Sequence, residues 1–317
     1  MDAHPASRLS RLALVAVLFI SSTGCVSLRL VDGADGLPQT VILESVPFHP
    51  QTEFYCGPAA LATVLEHGGV VVDADTLAER VFTPGLEGSL QAELIATARS
   101  KGLLAYRLTE QVGAVMAEVA EGRPVLVLEN QGLESRPIWH YAVVVGYDQD
   151  TNQLILRSGT RREQRISANR WVPRWNRAGR WALVVLAPGQ WPVEVDRDRW
   201  IAAAADFEVA ADPSAAARVW DQTTDRWPDA VLAWLGLGNV EFRRSDFKAA
   251  IDAYRRALEL DPTHAAVQFN LAVALKRSGA PCKALPLLQE LTKHDLLDER
   301  AMTRHNEAAR MCQVSKH

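Results

Sequence analysis

A cysteine at the start of a small, apolar segment is the residue of this chain that is best placed to do chemistry. Cys56 is followed by Gly57 and Pro58 and then by the run "AALATVL". Because proline suits the first turn of a helix, the segment predicts a helix that begins at Cys56 and ends at Gly68 and Gly69. A thiol there faces free backbone N–H groups, so we expect its pKa to be lowered and the thiolate to be reactive. The alternative is a small buried cysteine without a chemical role.

A thiolate nucleophile needs a base, and His140 is the candidate. It begins the apolar run "HYAVVVGYD", which predicts a strand, and the run "LILRSGT" after a turn at 148–152 predicts a returning antiparallel strand. Pairing centred near Asp150 places Ser158 on the same face as His140 and Arg157 on the other face. We therefore expect a hydroxyl, that of Ser158, or a backbone carbonyl to orient the imidazole.

The order of these motifs resembles a known peptidase family. Gln51 and the segments "YCGPAAL", "EGSLQAELIATARSKGL", "RPVLVL" and "HYAVVVGYD" follow one another as in the bacteriocin-processing (double-glycine) cysteine peptidases, which have a papain-like α+β fold. The resemblance implies Cys56 as nucleophile, His140 as general base, and Gln51 as an oxyanion donor together with the Cys56 backbone N–H. The chain departs from the family pattern at one position. Those enzymes usually carry an aspartate on the strand after the histidine strand, where this chain has Arg157 and Ser158.

The C-terminal part shows a second pattern, which recurs at a spacing of about 34 residues and resembles the tetratricopeptide repeat. Aromatic, small and apolar residues recur in register, and a proline follows each of the first two units. We predict about three repeats of paired antiparallel helices over residues 197–300, followed by a helix or tail at 301–317. Such repeats imply a protein or peptide partner, and no residue identifies it. The aligned positions include Trp200 with Trp234, Ala204 with Gly238 and Ala272, and Trp220 with Tyr254 and Leu288.

The N-terminus predicts a bacterial lipoprotein signal. Arginines precede the short apolar run Leu12–Ile20, and the small residues of "STGC" lead to Cys25, which resembles a lipidation site. Ser22 departs from that motif, which usually has an aliphatic residue there. We predict a signal peptide over residues 1–25, a tether over 26–44, and a lipid anchor at the periplasmic face of the outer membrane. A plain secretory signal is the alternative.

Composition and cysteine spacing indicate which kinds of partner and cofactor to expect. The net charge is −4 and no basic tract occurs, so we expect no nucleic-acid partner. There are four cysteines, too few for a disulfide scaffold, and no CxxC pair suggests a zinc site. No metal or organic cofactor is implied. Cys282 and Cys312 could form a disulfide in an oxidising periplasm or remain two buried thiols.

The sequence thus predicts a papain-like α+β domain over residues 45–192 and an all-α repeat domain after it. The predicted function is membrane-anchored hydrolysis of a peptide or amide bond through a Cys56–His140 thioester mechanism, with the repeats recruiting a substrate or partner. The alternative is a non-catalytic periplasmic adaptor that uses both domains for protein binding.

Overall fold

The structure, a computed structural model, describes Leu30 and residues 36–50, 55–86, 88–293 and 307–312. The predicted signal peptide, the lipidation site Cys25 and the oxyanion candidate Gln51 lie outside these residues. Within them, no helix combines the length and the apolar character that crossing a membrane requires.

A seven-stranded sheet organises the first domain. Its strands lie in the spatial order β2-β7-β3-β4-β5-β6, with β1 also paired to β4, and each of these pairings is antiparallel. In chain order the strands are β1 (Thr40–Ile42), β2 (Leu104–Arg107), β3 (Val125–Asn130), β4 (Trp139–Asp148), β5 (Gln153–Ser158), β6 (Arg161–Ser167) and β7 (Ala182–Leu186).

Helices cover both faces of this sheet, so its central strands are apolar on both sides. Residues of α1, α2 and α3 share one core cluster with Leu126 and Val143. Residues of α4 and α5 share another with Val127 and Ala142, which point to the opposite face. The helices are α1 (Cys56–His67), α2 (Ala74–Val81), α3 (Gln91–Ser100), α4 (Val112–Ala120) and α5 (Ala168–Arg177), and a short 3-10 turn spans Pro84–Leu86.

Next to His140, the β4–β5 hairpin has the register that the sequence predicts, which is a pairing centred near Asp150. Val144 lies opposite Leu156 and Val143 lies opposite Arg157. A bulge between Val144 and Gly146 separates this part of the ladder from the part next to the turn. Because side chains alternate along a strand, this register carries Ser158 to the face of His140.

The predicted tether over residues 26–44 is wrong, because part of this stretch belongs to the sheet. Thr40–Ile42 pairs with Gly146–Asp148 of β4. Leu30 is 1% exposed, and its N–H donates to Asn152 Oδ1 at 2.9 Å. A strand of only three residues carries too little alternation to stand out against the Gly- and Asp-rich sequence before it.

The second domain consists of three helix pairs in the described residues. Aspartates cap several of these helices; for example, Asp246 Oδ1 accepts from Ala249 N–H at 3.0 Å. A Cβ at Gly236 would lie 2.2 Å from the Trp220 ring, so the helix crossing requires a residue without a side chain. The helices are α6 (Arg197–Ala210), α7 (Pro213–Arg226), α8 (Val231–Arg243), α9 (Phe247–Leu260), α10 (Ala265–Arg277) and α11 (Pro281–Lys293).

The two domains share one apolar core. Tyr106 of β2 packs against Trp200 of α6 with ring centroids 6.1 Å apart, and Trp191 of the connecting segment lies 4.1 Å from Trp200. The Asp196 N–H donates to the Tyr106 hydroxyl at 3.0 Å. The first repeat is therefore fixed to the sheet by burial and is not carried on a free linker.

A disulfide joins Cys282, near the start of α11, to Cys312, with their Cα atoms 4.8 Å apart. We expect non-reducing mass mapping of the purified protein to recover these two residues in one linked peptide. Cys282→Ser should destabilise the end of the repeat domain by roughly 2–4 kcal/mol. Without the disulfide, the unfolded chain regains the conformational entropy that closure of the loop had removed. Recovery of both cysteines as free thiols would contradict this prediction.

Candidate active site

The start of α1 is pressed tightly against the rest of the first domain. Cys56 is the first residue of the helix and is partly buried. A Cβ at Gly57 would lie 2.4 Å from Ser89 Oγ and 3.6 Å from the Tyr141 ring, so only glycine fits after the cysteine. The Tyr141 hydroxyl donates to Ser89 O at 3.1 Å, which ties the same three segments together. The position of the thiol is thus fixed by the sheet.

The fold brings Cys56 to the start of β4, where His140 is located. The backbone N–H groups of Tyr141, Gly57 and Cys56 lie close enough to the sulfur to lower its pKa. Tyr141 directly follows His140, so the thiol lies against the backbone next to the candidate base. Among the described residues no hydrogen bond joins the thiol to the imidazole, whose contact is with Ser158, so the pairing of Cys56 with His140 as nucleophile and base stays a prediction.

The electrostatics of the thiol differ from the prediction. Burial raises the pKa of Cys56 by more than the three backbone N–H groups lower it, so the net shift is upward. The predicted lowering is wrong for the protein without substrate, because the position at a helix N-terminus does not offset the loss of water around the sulfur. Cys56 is a neutral thiol at neutral pH.

The imidazole of His140 is held by a hydroxyl. Its Nε2 lies 2.8 Å from Ser158 Oγ, and the Ser158 side chain is buried. Burial, with a smaller contribution from the Arg174 cation, lowers the pKa of His140 to about 4, so the ring is neutral at neutral pH. In the tautomer in which the Nε2–H donates to Ser158 Oγ, Nδ1 is left to accept a proton. The contact predicted for Ser158 is present, and its catalytic role stays a prediction.

A buried acid, Glu129, pairs with His140 across the sheet and is not predicted from the sequence. Glu129 lies opposite His140 in the β3–β4 pairing and is 1% exposed. Its Oε2 is 3.9 Å from Arg174 Nη1 on α5 and 3.3 Å from Gln131 Nε2, and burial raises its pKa. The signal that could have revealed it is a carboxylate inside the otherwise apolar run "RPVLVLEN", which pairs with the histidine strand.

The connection between β3 and β4 forms an apolar wall next to His140. The side chain of Asn130 holds this loop, since its Oδ1 accepts from Gly132 N–H at 2.9 Å and from Ile138 N–H at 3.0 Å. Ile138 and Trp139 are more than half exposed although both are large and apolar. Trp139 therefore forms part of the surface beside the base and not of the core.

No metal centre accompanies these residues in the described part of the chain, where no group of three or more His, Cys, Asp or Glu side chains could hold an ion. The functional groups described in this region are a thiol, an imidazole, a hydroxyl and a buried ion pair. Gln51, the proposed oxyanion donor, lies outside the described residues, so its role stays a prediction.

Solved structures resemble one part of the chain at a time. A C39-like peptidase from Bacillus anthracis is 19% identical, with a TM-score of 0.40, over 47% of this chain and 98% of that chain. The peptidase domain of Streptococcus ComA, a bifunctional ABC transporter involved in a quorum-sensing pathway, is 22% identical, with a TM-score of 0.36, over 45% and 98%. A tetratricopeptide protein with an unusual peptide-binding site is 23% identical, with a TM-score of 0.34, over 36% and 58%.

Family comparisons agree with the division of the chain. No curated protein matches it in sequence. Residues 43–183 match the Peptidase_C39 like family, and residues 201–265 and 241–302 match two tetratricopeptide repeat families. The predicted order of a sheet-containing domain followed by helical repeats is confirmed. The chain carries a Peptidase_C39-like domain followed by tetratricopeptide repeats.

Proposed function

We propose that this protein is a cysteine peptidase that cleaves a peptide or amide bond through a thioester intermediate. One observation carries the proposal: the Cys56 thiol, at the first residue of α1, lies against the backbone of Tyr141, and the residue before Tyr141 is His140, whose Nε2 lies 2.8 Å from Ser158 Oγ. A nucleophile, a base and a group that orients the base are the parts such a reaction needs.

The reaction would start from a neutral pair. As the Cys56 sulfur attacks the carbonyl carbon, His140 takes the thiol proton, and the oxygen of the tetrahedral intermediate accepts hydrogen bonds from N–H groups at the start of α1. His140 then gives this proton to the departing amine, which leaves a thioester on Cys56. A water molecule, deprotonated by His140, attacks the thioester and releases the acid and the free thiol.

The repeat domain would bring a peptide or protein to this site. Tetratricopeptide repeats are protein- and peptide-binding modules, and the first helix pair is fixed to β2 by the shared core of Tyr106 and Trp200. A partner bound by the repeats would therefore keep a defined position relative to the peptidase-like domain. We propose recruitment of a substrate or partner in this way.

The test is hydrolysis of a peptide library, with new chain ends identified by mass spectrometry. Wild-type protein should generate ends that Cys56→Ala does not, because alanine cannot form the thioester. Equal product patterns from the two proteins would contradict the proposed function.

A second candidate function has its own support. The raised pKa of Cys56 and the lowered pKa of His140 oppose a resting thiolate–imidazolium pair. The strand that follows the histidine strand also carries Ser158 where related peptidases usually have an aspartate. Both features suit a non-catalytic adaptor, in which the first domain binds a peptide without cleaving it. Binding of library peptides with no new chain ends would favour this adaptor.

We also propose that the protein is held at the cell envelope by a lipid on Cys25, facing the periplasm. The support is the "STGC" segment after a short apolar run. We expect Cys25→Ser to move the protein from the membrane fraction to the soluble fraction, because the lipid supplies the anchor. Cys56→Ser is the matched control and should remain with membranes. Unchanged fractionation of Cys25→Ser would contradict the anchor.

A further inference from the structure

The β3–β4 pairing sets an acidic residue directly opposite the candidate base in the sheet. The Gln131 N–H donates to Ile138 O at 2.8 Å, and the same register pairs Glu129 with His140. Residues directly opposite each other in an antiparallel pair share a face, with Cβ atoms about 4.5–5.5 Å apart. The Glu129 carboxylate and the His140 imidazole therefore start from neighbouring points on the same side of the sheet.

The contacts of Glu129 leave part of its carboxylate uncommitted. The side chain is almost fully buried, yet its contacts to Arg174 and Gln131 are long, at 3.9 Å and 3.3 Å. Its Oε1 accepts no well-formed hydrogen bond within the described residues, although the Trp171 indole lies near enough to lower the pKa of the carboxylate. A buried carboxylate that is only loosely paired can stabilise a further positive charge that forms next to it.

The other groups around His140 do not provide that negative charge. Ser158 of β5 offers a neutral hydroxyl and Arg174 of α5 offers a cation. Cys56 of α1 is, in the proposed function, the proton donor. Arg177, also on α5, donates to the Asn130 carbonyl. Among the described groups that face the ring, Glu129 is thus the one that can carry a negative charge while Cys56 is still a thiol.

We infer that Glu129 is the charged partner of His140, and that it stabilises the imidazolium formed when Cys56 gives up its proton. The acid that related enzymes carry on the strand after the histidine would here lie on the strand before it. Arg174 holds the carboxylate ready in the resting protein and keeps the ring neutral until the proton moves. The inference rests on the proposed function for its catalytic meaning, while the charge coupling itself is a property of the free protein.

The test is a titration of His140 by NMR in a Cys56→Ala protein with labelled histidine. The His140 signal, one of eight, is assigned by its loss in His140→Ala. Arg174→Gln should raise the pKa of His140, because a nearby cation is removed. Adding Glu129→Gln should then lower it by about 1–3 units, because the nearby anion is removed as well. These opposite signs are not expected of a merely structural carboxylate.

Glu118→Gln is the matched control, since Glu118 of α4 is equally buried and pairs with Arg123, which follows the helix. In the Arg174→Gln background it should leave the His140 titration unchanged. Glu129→Asp should keep most of the raised pKa, because it keeps the negative charge. If Glu129→Gln does not fold, Glu129→Met replaces it as the variant that removes the charge. An identical His140 titration with and without the charge-removing Glu129 substitution overturns the inference. Because no turnover is needed, the result is independent of whether the protein proves to be a peptidase.

Discussion

His140→Ala is expected to lower kcat/KM for peptide hydrolysis by about 10²–10⁴-fold, the usual contribution of a general base. The loss should be large because Cys56 is a neutral thiol in the resting protein and depends on the imidazole to remove its proton during attack. The measurement is the cleavage rate of a library-derived substrate at about pH 7, with circular dichroism to confirm that the variant is folded.

A second histidine offers a matched control for this prediction. His67 lies at the far end of α1, about 16 Å along the helix from Cys56, and its Nε2 is 2.9 Å from the Gly122 carbonyl. His67→Ala should change stability without changing the cleavage rate by more than about twofold. Ser158→Ala should give an intermediate loss, because it removes one orienting hydrogen bond and leaves the base in place. A His140→Ala protein that cleaves like the His67→Ala protein would exclude His140 as the base.

Alkylation of Cys56 by iodoacetamide should be slow at about pH 7 and should accelerate only above the ordinary thiol pKa of about 8.5. Only the thiolate reacts, and burial raises the pKa of Cys56, so the rate profile must move to higher pH. At neutral pH, the alkylation rate should fall about tenfold for each rise of one in the pKa of Cys56. The measurement uses a Cys25→Ser protein, in which Cys282 and Cys312 are blocked by their disulfide.

The same protein in denaturant supplies the reference, since its Cys56 should titrate as an ordinary exposed thiol. The folded protein should react more slowly than this reference throughout the neutral range. Rapid alkylation of the folded protein at about pH 6, with a plateau that His140→Ala removes, would show instead a resting thiolate–imidazolium pair. In that case the helix N-terminus and His140 would lower the pKa of Cys56 by more than burial raises it.

The sequence predicts those features of the site that depend on local pattern. The start of α1 at Cys56 follows from Gly57 and Pro58, and the contact between His140 and Ser158 follows from strand alternation and the length of one hairpin. Both are short-range regularities. The helix spacing of the repeats is likewise periodic, so their existence is visible without any knowledge of their contacts.

The features that the sequence does not reveal are those set by contacts between distant segments. Pairing of Thr40–Ile42 with β4 brings together segments that lie far apart in the sequence. The burial that raises the pKa of Cys56 is produced by packing of α1 against the sheet, and Glu129 gains its meaning only from its pairing with His140. The shared core of Tyr106 and Trp200 joins the two domains in the same way.

The central claim is that Cys56 attacks a bound peptide carbonyl, and covalent trapping tests it most directly. Wild-type protein and Cys56→Ala are incubated at about pH 7 with a library of peptides that end in an electrophilic carbonyl analogue, and intact masses are then recorded. The account predicts adducts on the wild-type protein that map to Cys56, fewer adducts on His140→Ala, and none on Cys56→Ala. A wild-type protein that binds these peptides but forms no adduct on Cys56 would contradict the claim and leave the adaptor function in its place.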